Sequence, residues 1–254
     1  AAAALNAPMN DGLKFLGAAL GGALLAVVIV FAAADRGLLP GGPGNGNIRG
    51  YLLTHPELLA EMTDRLQKQE EAADQAKAVA AMKKIGMAPF FDTKVAFVTG
   101  PADAKKSVVE FYDYNCPYCR ASLPAVEKFY QQHKKDTRFS FIEFPIKGPD
   151  SIVAARVALA ARLQPDKYLA LHFLLMNETD PVNEAMIYAD AQKAGLNMAK
   201  LKVDMENPAI DDAIAASKKL ALRAGIDGTP TFIVNGVMHP GAVDDELMNS
   251  LAAS

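Results

Sequence analysis

Only two cysteines occur in this 254-residue chain, and both lie in Cys116-Pro117-Tyr118-Cys119. A CxxC pair serves one of three chemistries: half of a zinc site, a structural disulfide, or a redox dithiol. Zinc asks for about four ligands. There is no second cysteine pair, and His55, His133, His172 and His239 show no ligand spacing, so they read as surface or packing residues. A bridge across two intervening residues removes little chain entropy, which makes a purely structural role poor chemistry. The dithiol has positive support. Cys116 follows Ser107-Val108-Val109-Glu110-Phe111-Tyr112-Asp113-Tyr114, a β-branched and aromatic run, and opens a helical pattern that reaches about His133. Unpaired N–H groups and the dipole at a helix start stabilise a thiolate. The same low basicity makes a good leaving group. Cys119, within one helical turn, can resolve a mixed disulfide, and Pro117 and Tyr118 tune the potential.

Gly228-Thr229-Pro230-Thr231-Phe232 is the second chemical signal. Proline at the start of a strand is either an edge residue or the seat of a cis bond, which for X–Pro costs only ~0.5–1 kcal/mol. A cis turn beside the dithiol would present the Thr229 backbone to an extended substrate segment. Having no N–H, it would also discourage metal capture by the thiols.

The elements that must position these residues emerge from pattern. Lys94–Thr99 reads as a short strand, Ser107–Tyr114 as a stronger one, and Phe139–Phe144 as a third, closed by Pro145. A mostly helical stretch runs from Ser151 to about Ala224, broken at Gln164-Pro165-Asp166, Asp180-Pro181, Gly195 and Asn207-Pro208. Thr231–Val234 and Val237–His239 flank Asn235-Gly236, a preferred hairpin dipeptide. Asp244–Leu251 closes the chain as a helix. Strand, helix and strand, then a helical insertion, a hairpin and a helix is an α/β order of the thioredoxin kind. The insertion covers about 151–205 of a domain spanning 90–254.

Upstream, Thr54-His55-Pro56-Glu57 has the capping-box form, opening a helix that runs to about Ile85 before Gly86. Leu59, Met62, Leu66, Gln69, Ala73, Ala76 and Ala80 repeat at alternating spacings of three and four, an a/d seam flanked by charge. An amphipathic helix lying on its own domain gives the same periodicity. Gly86-Met87-Ala88-Pro89 separates this helix from the body, so residues 48–89 read as a helical stalk for self-association. Residues 37–47, rich in glycine with two prolines, form a flexible linker.

Residues 1–36 concern location. Phe15–Ala34 is twenty uncharged residues, which as a helix span about 30 Å, the thickness of a bilayer core. The readings are a retained signal-anchor, a cleaved signal peptide ending at Ala32-Ala33-Ala34, and a buried soluble helix. The anchor is preferred because the apolar run exceeds the usual ~7–15 residues of a signal core. Either signal reading exports the C-terminal bulk.

With 51% apolar residues, 22% charged and a net charge of −3, the chain supports a packed core and is not disordered. Its four Lys-Lys pairs are scattered, which argues against nucleic-acid binding.

The run Val109–Cys119 and the motif Gly228–Phe232 resemble the exported DsbA-like thiol–disulfide oxidoreductases of the thioredoxin superfamily. Ile48-Arg49-Gly50-Tyr51-Leu52-Leu53-Thr54-His55-Pro56-Glu57 is similar to the N-terminal region of the suppressor-of-copper-sensitivity C proteins, ScsC. The resemblance implies Cys116 as nucleophile, Cys119 as resolving thiol, Pro230 as a cis-proline, and Thr229 with Pro117 and Tyr118 at the substrate. Relatives carry a buried acid where Glu110 stands, six residues before Cys116, and a carboxylate there can exchange the Cys119 proton. Strand alternation sets Glu110 opposite Phe111 without deciding which face is buried. Some ScsC-like members trimerise through the stalk and act as isomerases. The resemblance therefore implies a periplasmic homotrimeric disulfide isomerase assembled through residues 48–85, with misoxidised exported proteins as substrates. It further implies an ScsB-like membrane reductase as electron donor, a link to copper tolerance, and no cofactor beyond the Cys116–Cys119 redox pair. Residues 15–34, if retained, would tether it to the inner membrane. A monomeric dithiol oxidase is the nearest rival, and a copper-binding relay through the two soft sulfurs is another class.

Overall fold

A computed structural model of the chain describes residues 45–164 and 166–253. The expected membrane or signal segment and most of the glycine linker lie outside these residues. Among the described residues, no helix is long and apolar enough to cross a membrane. The chain divides into two units, whose described parts are residues 45–72 and 73–253.

The first unit contains α1 (Asn45–Thr54) and the start of α2 (Glu57–Ile85). Thr54 does not cap α2. It ends α1, where its hydroxyl donates to the carbonyls of Gly50 and Tyr51, each at 3.0 Å. The last carbonyls of a helix lack intrahelical donors, and a nearby hydroxyl finds them first. The N–H groups of Leu58 and Leu59 turn instead to the carbonyls of His55 and Pro56. Along α2, Glu61–Arg65 and Asp64–Lys68 pair with the acid four residues before the base, the favourable order. The seam residues Leu59, Met62 and Leu66 are 72%, 59% and 56% exposed.

In the second unit, the last turns of α2 bury a different stripe. Met82 is buried and Ala78 and Ile85 are half-buried, while Ala76 and Ala80 stay exposed. Gly86 ends the helix at φ +69, a conformation open to glycine. A 3-10 turn, Ala88–Phe91, delivers two buried phenylalanines, Phe90 and Phe91.

The body is a five-stranded sheet of β1 (Phe97–Thr99), β2 (Lys106–Tyr112), β3 (Thr137–Glu143), β4 (Thr231–Val234) and β5 (Val237–Pro240), in the order β1-β3-β2-β4-β5. β2 and β3 are parallel, joined through α3 (Pro117–His133); the other pairings are antiparallel. β1 is shorter than the Lys94–Thr99 reading, because Asp92 accepts from the N–H groups of Lys94, Val95 and Ala96 and coils them into a turn. The hairpin turns at Asn235 and Gly236, both at positive φ, as a two-residue primed turn requires.

The insertion resolves into α4 (Pro149–Ala161), α5 (Tyr168–Met176), α6 (Glu184–Lys193) and α7 (Met198–Asp204), with α8 (Pro208–Ala224) after it. Asn183, Asn197 and Asn207 cap α6, α7 and α8 through their side-chain oxygens. One sheet face, with Val108, Tyr112, Phe139, Phe141 and Phe232, packs beneath α3 and the insertion. The other, with Val109, Phe111, Ile142 and Ile233, packs with Phe90, Met82 and the Leu220 face of α8. The closing α9 (Asp245–Ala253) buries Met248 and Ala252, and Val243 just before it donates to the Ser122 hydroxyl of α3 at 3.0 Å.

Candidate active site

Cys116 is the N-cap of α3, with Pro117 in the first turn where no intrahelical partner is lost. Its carbonyl accepts from Cys119 and Arg120, which winds the two cysteines into one turn. Both are free thiols, at 0% and 1% exposure. Pro117 is exposed beside them, and Tyr118 is 65% exposed.

The Thr229–Pro230 peptide bond is cis. It sets the Thr229 carbonyl over the first cysteine, whose thiol donates to it at 3.0 Å. The Thr229 hydroxyl is buried, with no hydrogen-bond partner among the described residues. Hydrogen bonding from the Cys119 thiol is the main cause that pulls the Cys116 thiol down to about 5. Burial opposes it, and the backbone N–H groups of Cys119 and Tyr118 assist. Cys119 is driven the other way, well above the ordinary thiol range, first by burial, then by its bond to Cys116, then by the charge of Glu110. Opposite shifts on neighbouring groups assign opposite roles. At neutral pH one sulfur is an ion ready to attack, and the other holds its proton.

Glu110 shares the α3-facing side of the sheet with Val108 and Tyr112, which answers the question of face that alternation left open. It is buried, burial pushes its carboxyl up to about 8, and its Oε2 has no partner among the described residues. The structure thus gathers Cys116, Cys119, Thr229, Pro230 and Glu110 in one place. Among the described residues, no group of three or more His, Cys, Asp or Glu could hold a metal ion.

Sequence reading passed over the residues that hold the cysteine loop. The Asp113 carboxylate accepts from the N–H of Asn115, Ile146 and Lys147 and from the Ser151 hydroxyl, all within 2.7–2.8 Å. Asn115 clamps the insertion through both halves of its amide, to Val182 N at 2.7 Å and Val182 O at 3.1 Å. Arg120 reaches the Asp180 carbonyl at 2.7 Å. The available signal was that Tyr112-Asp113-Tyr114-Asn115 leads directly into Cys116.

Comparison with known proteins accords with this geometry. Residues 107–252, more than half of the chain, match the DSBA-like thioredoxin domain, and residues 46–73 match the copper resistance protein ScsC N-terminal domain. A thioredoxin-like oxidoreductase from Silicibacter pomeroyi is 38% identical, with 66% of this chain and 95% of that one covered and a TM-score of 0.60. Proteus mirabilis ScsC, in a linker-deleted N6K form, is 27% identical, with 81% and 90% covered and a TM-score of 0.63. The Na(+)/H(+) antiporter NhaA 3 of Salinispora tropica is 29% identical over 62% of this chain. The chain spans about a quarter of the length of the curated relatives it matches. This chain belongs to the DSBA-like thioredoxin domain family, with an ScsC-type region ahead of that domain.

Proposed function

We propose that the chain is a thiol–disulfide oxidoreductase of the DsbA and ScsC kind, and within that class a disulfide isomerase. The carrying observation is the Cys116 sulfur at 3.0 Å from the Thr229 carbonyl, with Cys119 behind it. The Cys116 thiolate attacks a wrong disulfide in an exported protein, one substrate sulfur leaves as thiolate, and a mixed disulfide forms. A second substrate thiolate then attacks the substrate sulfur of that bond, returning Cys116 as thiolate with no net change of oxidation state. If Cys119 gives its proton to Glu110 and attacks Cys116 instead, the substrate leaves reduced and the enzyme becomes a disulfide. Neither as thiolate nor in the mixed disulfide does Cys116 donate to Thr229, whose carbonyl is then open to a substrate N–H. Pro117 and Tyr118 border that strand.

Isomerisation requires the reduced enzyme, so an ScsB-like membrane reductase supplies its electrons. The exposed Leu59, Met62 and Leu66 seam supports a homotrimer through residues 48–85, which sets several dithiols against one substrate and raises their effective concentration. A solved neighbour from Salmonella enterica is a periplasmic thioredoxin-like protein, and the same compartment suits this chemistry. The copper link rests on the name of the matched N-terminal domain.

The test replaces Leu59, Met62 and Leu66 together by serine in the full chain. Sedimentation and reactivation of scrambled ribonuclease are then compared with wild type. The proposal expects a trimer that becomes a monomer and loses most reactivation while keeping the reactive Cys116. A monomeric wild type, or undiminished reactivation by the variant, defeats the isomerase reading and leaves a monomeric dithiol oxidase.

A further inference from the structure

A closed circuit of contacts surrounds the cleft between the dithiol and the turn that opens β4. From Cys116 the first turn of α3 leads to Tyr118, whose carbonyl accepts from the Ser122 hydroxyl at 2.9 Å. The same hydroxyl accepts from the N–H of Val243 at 3.0 Å. Two residues back along that segment, the N–H of Gly241 donates to the Pro230 carbonyl at 2.9 Å. The Thr229 carbonyl, one peptide unit earlier, meets Cys116 Sγ at 3.0 Å and closes the circuit. Ser122 is 0% exposed and Val243 is buried, whereas Gly241 is exposed.

The links are not equal. The one between Cys116 and Thr229 needs the sulfur's proton, so it is lost when the thiolate forms or a mixed disulfide takes its place. The others involve neither sulfur and persist through the reaction. On its far side the turn is held by β2, where Phe111 pairs with Thr231. Residues 241–243 tie the same turn to α3, independently of β2. A serine inside a helix commonly bonds back to the carbonyl four residues earlier. The second bond of Ser122, to a main-chain N–H 121 positions away, is what that local habit does not explain.

The geometry points to Ser122 as a positioning residue that, through Val243 and Gly241, keeps the Thr229–Pro230 turn at a fixed distance from Cys116 while the sulfur is ionised or bonded. An incoming substrate strand then finds its carbonyl partner already in place, so binding has less of the protein to order. The inference rests on the proposed pairing of the Thr229 carbonyl with a substrate N–H, and not on the trimer or on isomerase activity.

The experiment uses the reduced full-length chain and an extended peptide whose single cysteine carries a thionitrobenzoate group. The Cys116 thiolate attacks the peptide sulfur, a mixed disulfide forms, and coloured thionitrobenzoate leaves with the electron pair of the broken bond. Initial rates against peptide concentration give the half-saturation concentration and limiting rate for wild type, Ser122→Ala, Gly241→Ala and the double variant. Ser122→Ala removes the tie at α3. Gly241→Ala strains it from the other end, since Gly241 sits at φ +98 and an added Cβ would meet nothing within 4 Å.

Each single variant is expected to raise the half-saturation concentration about fivefold, the scale of one net hydrogen bond. The limiting rate stays in place, as does the reaction with symmetric dithionitrobenzoate, which has no peptide backbone. So does the Cys116 titration, followed by the thiolate absorbance near 240 nm. The double variant should be no worse than either single one, because both cut the same bridge. An unchanged half-saturation concentration in both single variants, or additive effects in the double variant, overturns the inference. An equal loss with dithionitrobenzoate overturns it too, as the mark of a disturbed sulfur rather than a displaced turn. A peptide with methylated backbone nitrogens separates the two readings. If wild type takes it as readily as the plain peptide, Thr229 pairs with no substrate N–H, and the inference falls with that reading. If wild type discriminates while the variants match it on the plain peptide, the inference alone fails. Should Ser122→Ala not fold, Gly241→Ala, at an exposed position, decides.

Discussion

The sulfur of Cys116 and the carbonyl oxygen of Thr229 stand 3.0 Å apart, joined across 113 positions of sequence. That contact places the cap of α3 against the turn that opens β4, so the sulfur and the backbone facing it are held by two different elements, a helix and a strand. Neither element alone is a site. The contact is also conditional, since only the protonated sulfur can donate to the carbonyl.

The first prediction concerns that sulfur. With its thiol pulled down to about 5, chiefly by the Cys119 hydrogen bond, Cys116 should be alkylated by iodoacetamide at a rate that rises through pH 5 and is flat by pH 7. Its folded value is depressed, so its contribution to the stability of the reduced protein is complete above the unfolded thiol range, near 8.5. That contribution is lost as pH falls through about 5. Urea titrations of the reduced chain and of Cys116→Ala should therefore diverge above pH 5 and converge below it.

Glu110 works in the opposite sense. Burial raises its carboxyl from 4.5 to about 8, so the folded chain retains a proton that the unfolded chain has released. The penalty to stability begins above 4.5, grows as pH rises, and is complete above about 8. Glu110→Gln should be neutral near pH 4 and stabilise the reduced protein at pH 8 by on the order of a few kcal/mol. The same variant should slow closure of the dithiol by about 100-fold, the lower range for losing a general acid–base group. A variant with unchanged closure at every pH would remove Glu110 from the reaction.

The cysteine pair and the Thr229–Pro230 turn were legible because their chemistry is local: a spacing of three, and a proline after Gly-Thr at the start of a strand. Glu110 was half-legible. Both faces of β2 are buried from Val108 onward, so alternation carries no polar side to read against. The buried Glu143 of β3, whose Oε1 accepts from Tyr112, Tyr114 and Tyr168, was invisible because Tyr168 arrives from α5 more than twenty residues later, with His172 behind Tyr114. Thr54 misled for a related reason. Its spacing to Glu57 fits a cap, but the carbonyls of Gly50 and Tyr51 at the end of α1 offered the hydroxyl nearer partners. The helical insertion was readable in outline, because Asn183, Asn197 and Asn207 sit at breaks and cap α6, α7 and α8.

Asp113 gives a prediction about loop order rather than proton transfer. Its carboxylate gathers four donors from the Cys loop, from residues 146–147 and from α4. Asp113→Ala leaves those donors unmatched in a buried place and should cost about 3 kcal/mol, in the range for hydrogen bonds to a charged group. With the loop loosened, the Cys116 thiolate should also become harder to form. Denaturant midpoints and the 240-nm titration check the two effects separately. A Cys116 titration unaltered in a clearly destabilised variant would confine Asp113 to packing.

His172 tests the buried cluster from its acid side. Burial lowers its ring from 6.5 to about 3, so the folded chain keeps it neutral where the unfolded chain takes up a proton. The stability tied to this residue is complete above 6.5 and is lost progressively as pH falls towards 3. One proton difference gives a slope of about 1.4 kcal/mol per pH unit across that window. His172→Gln keeps an acceptor near the Tyr114 hydroxyl, now 3.3 Å from Nδ1, but cannot titrate. The variant should start less stable at pH 7, because the Gln side chain packs worse among Tyr112, Phe141 and Phe173. It should then lose stability more slowly on acidification, so the two curves cross or converge by about pH 4. If they run parallel from pH 7 to pH 4, His172 is protonated in the folded chain and the cluster around Glu143 is wetter than its burial implies.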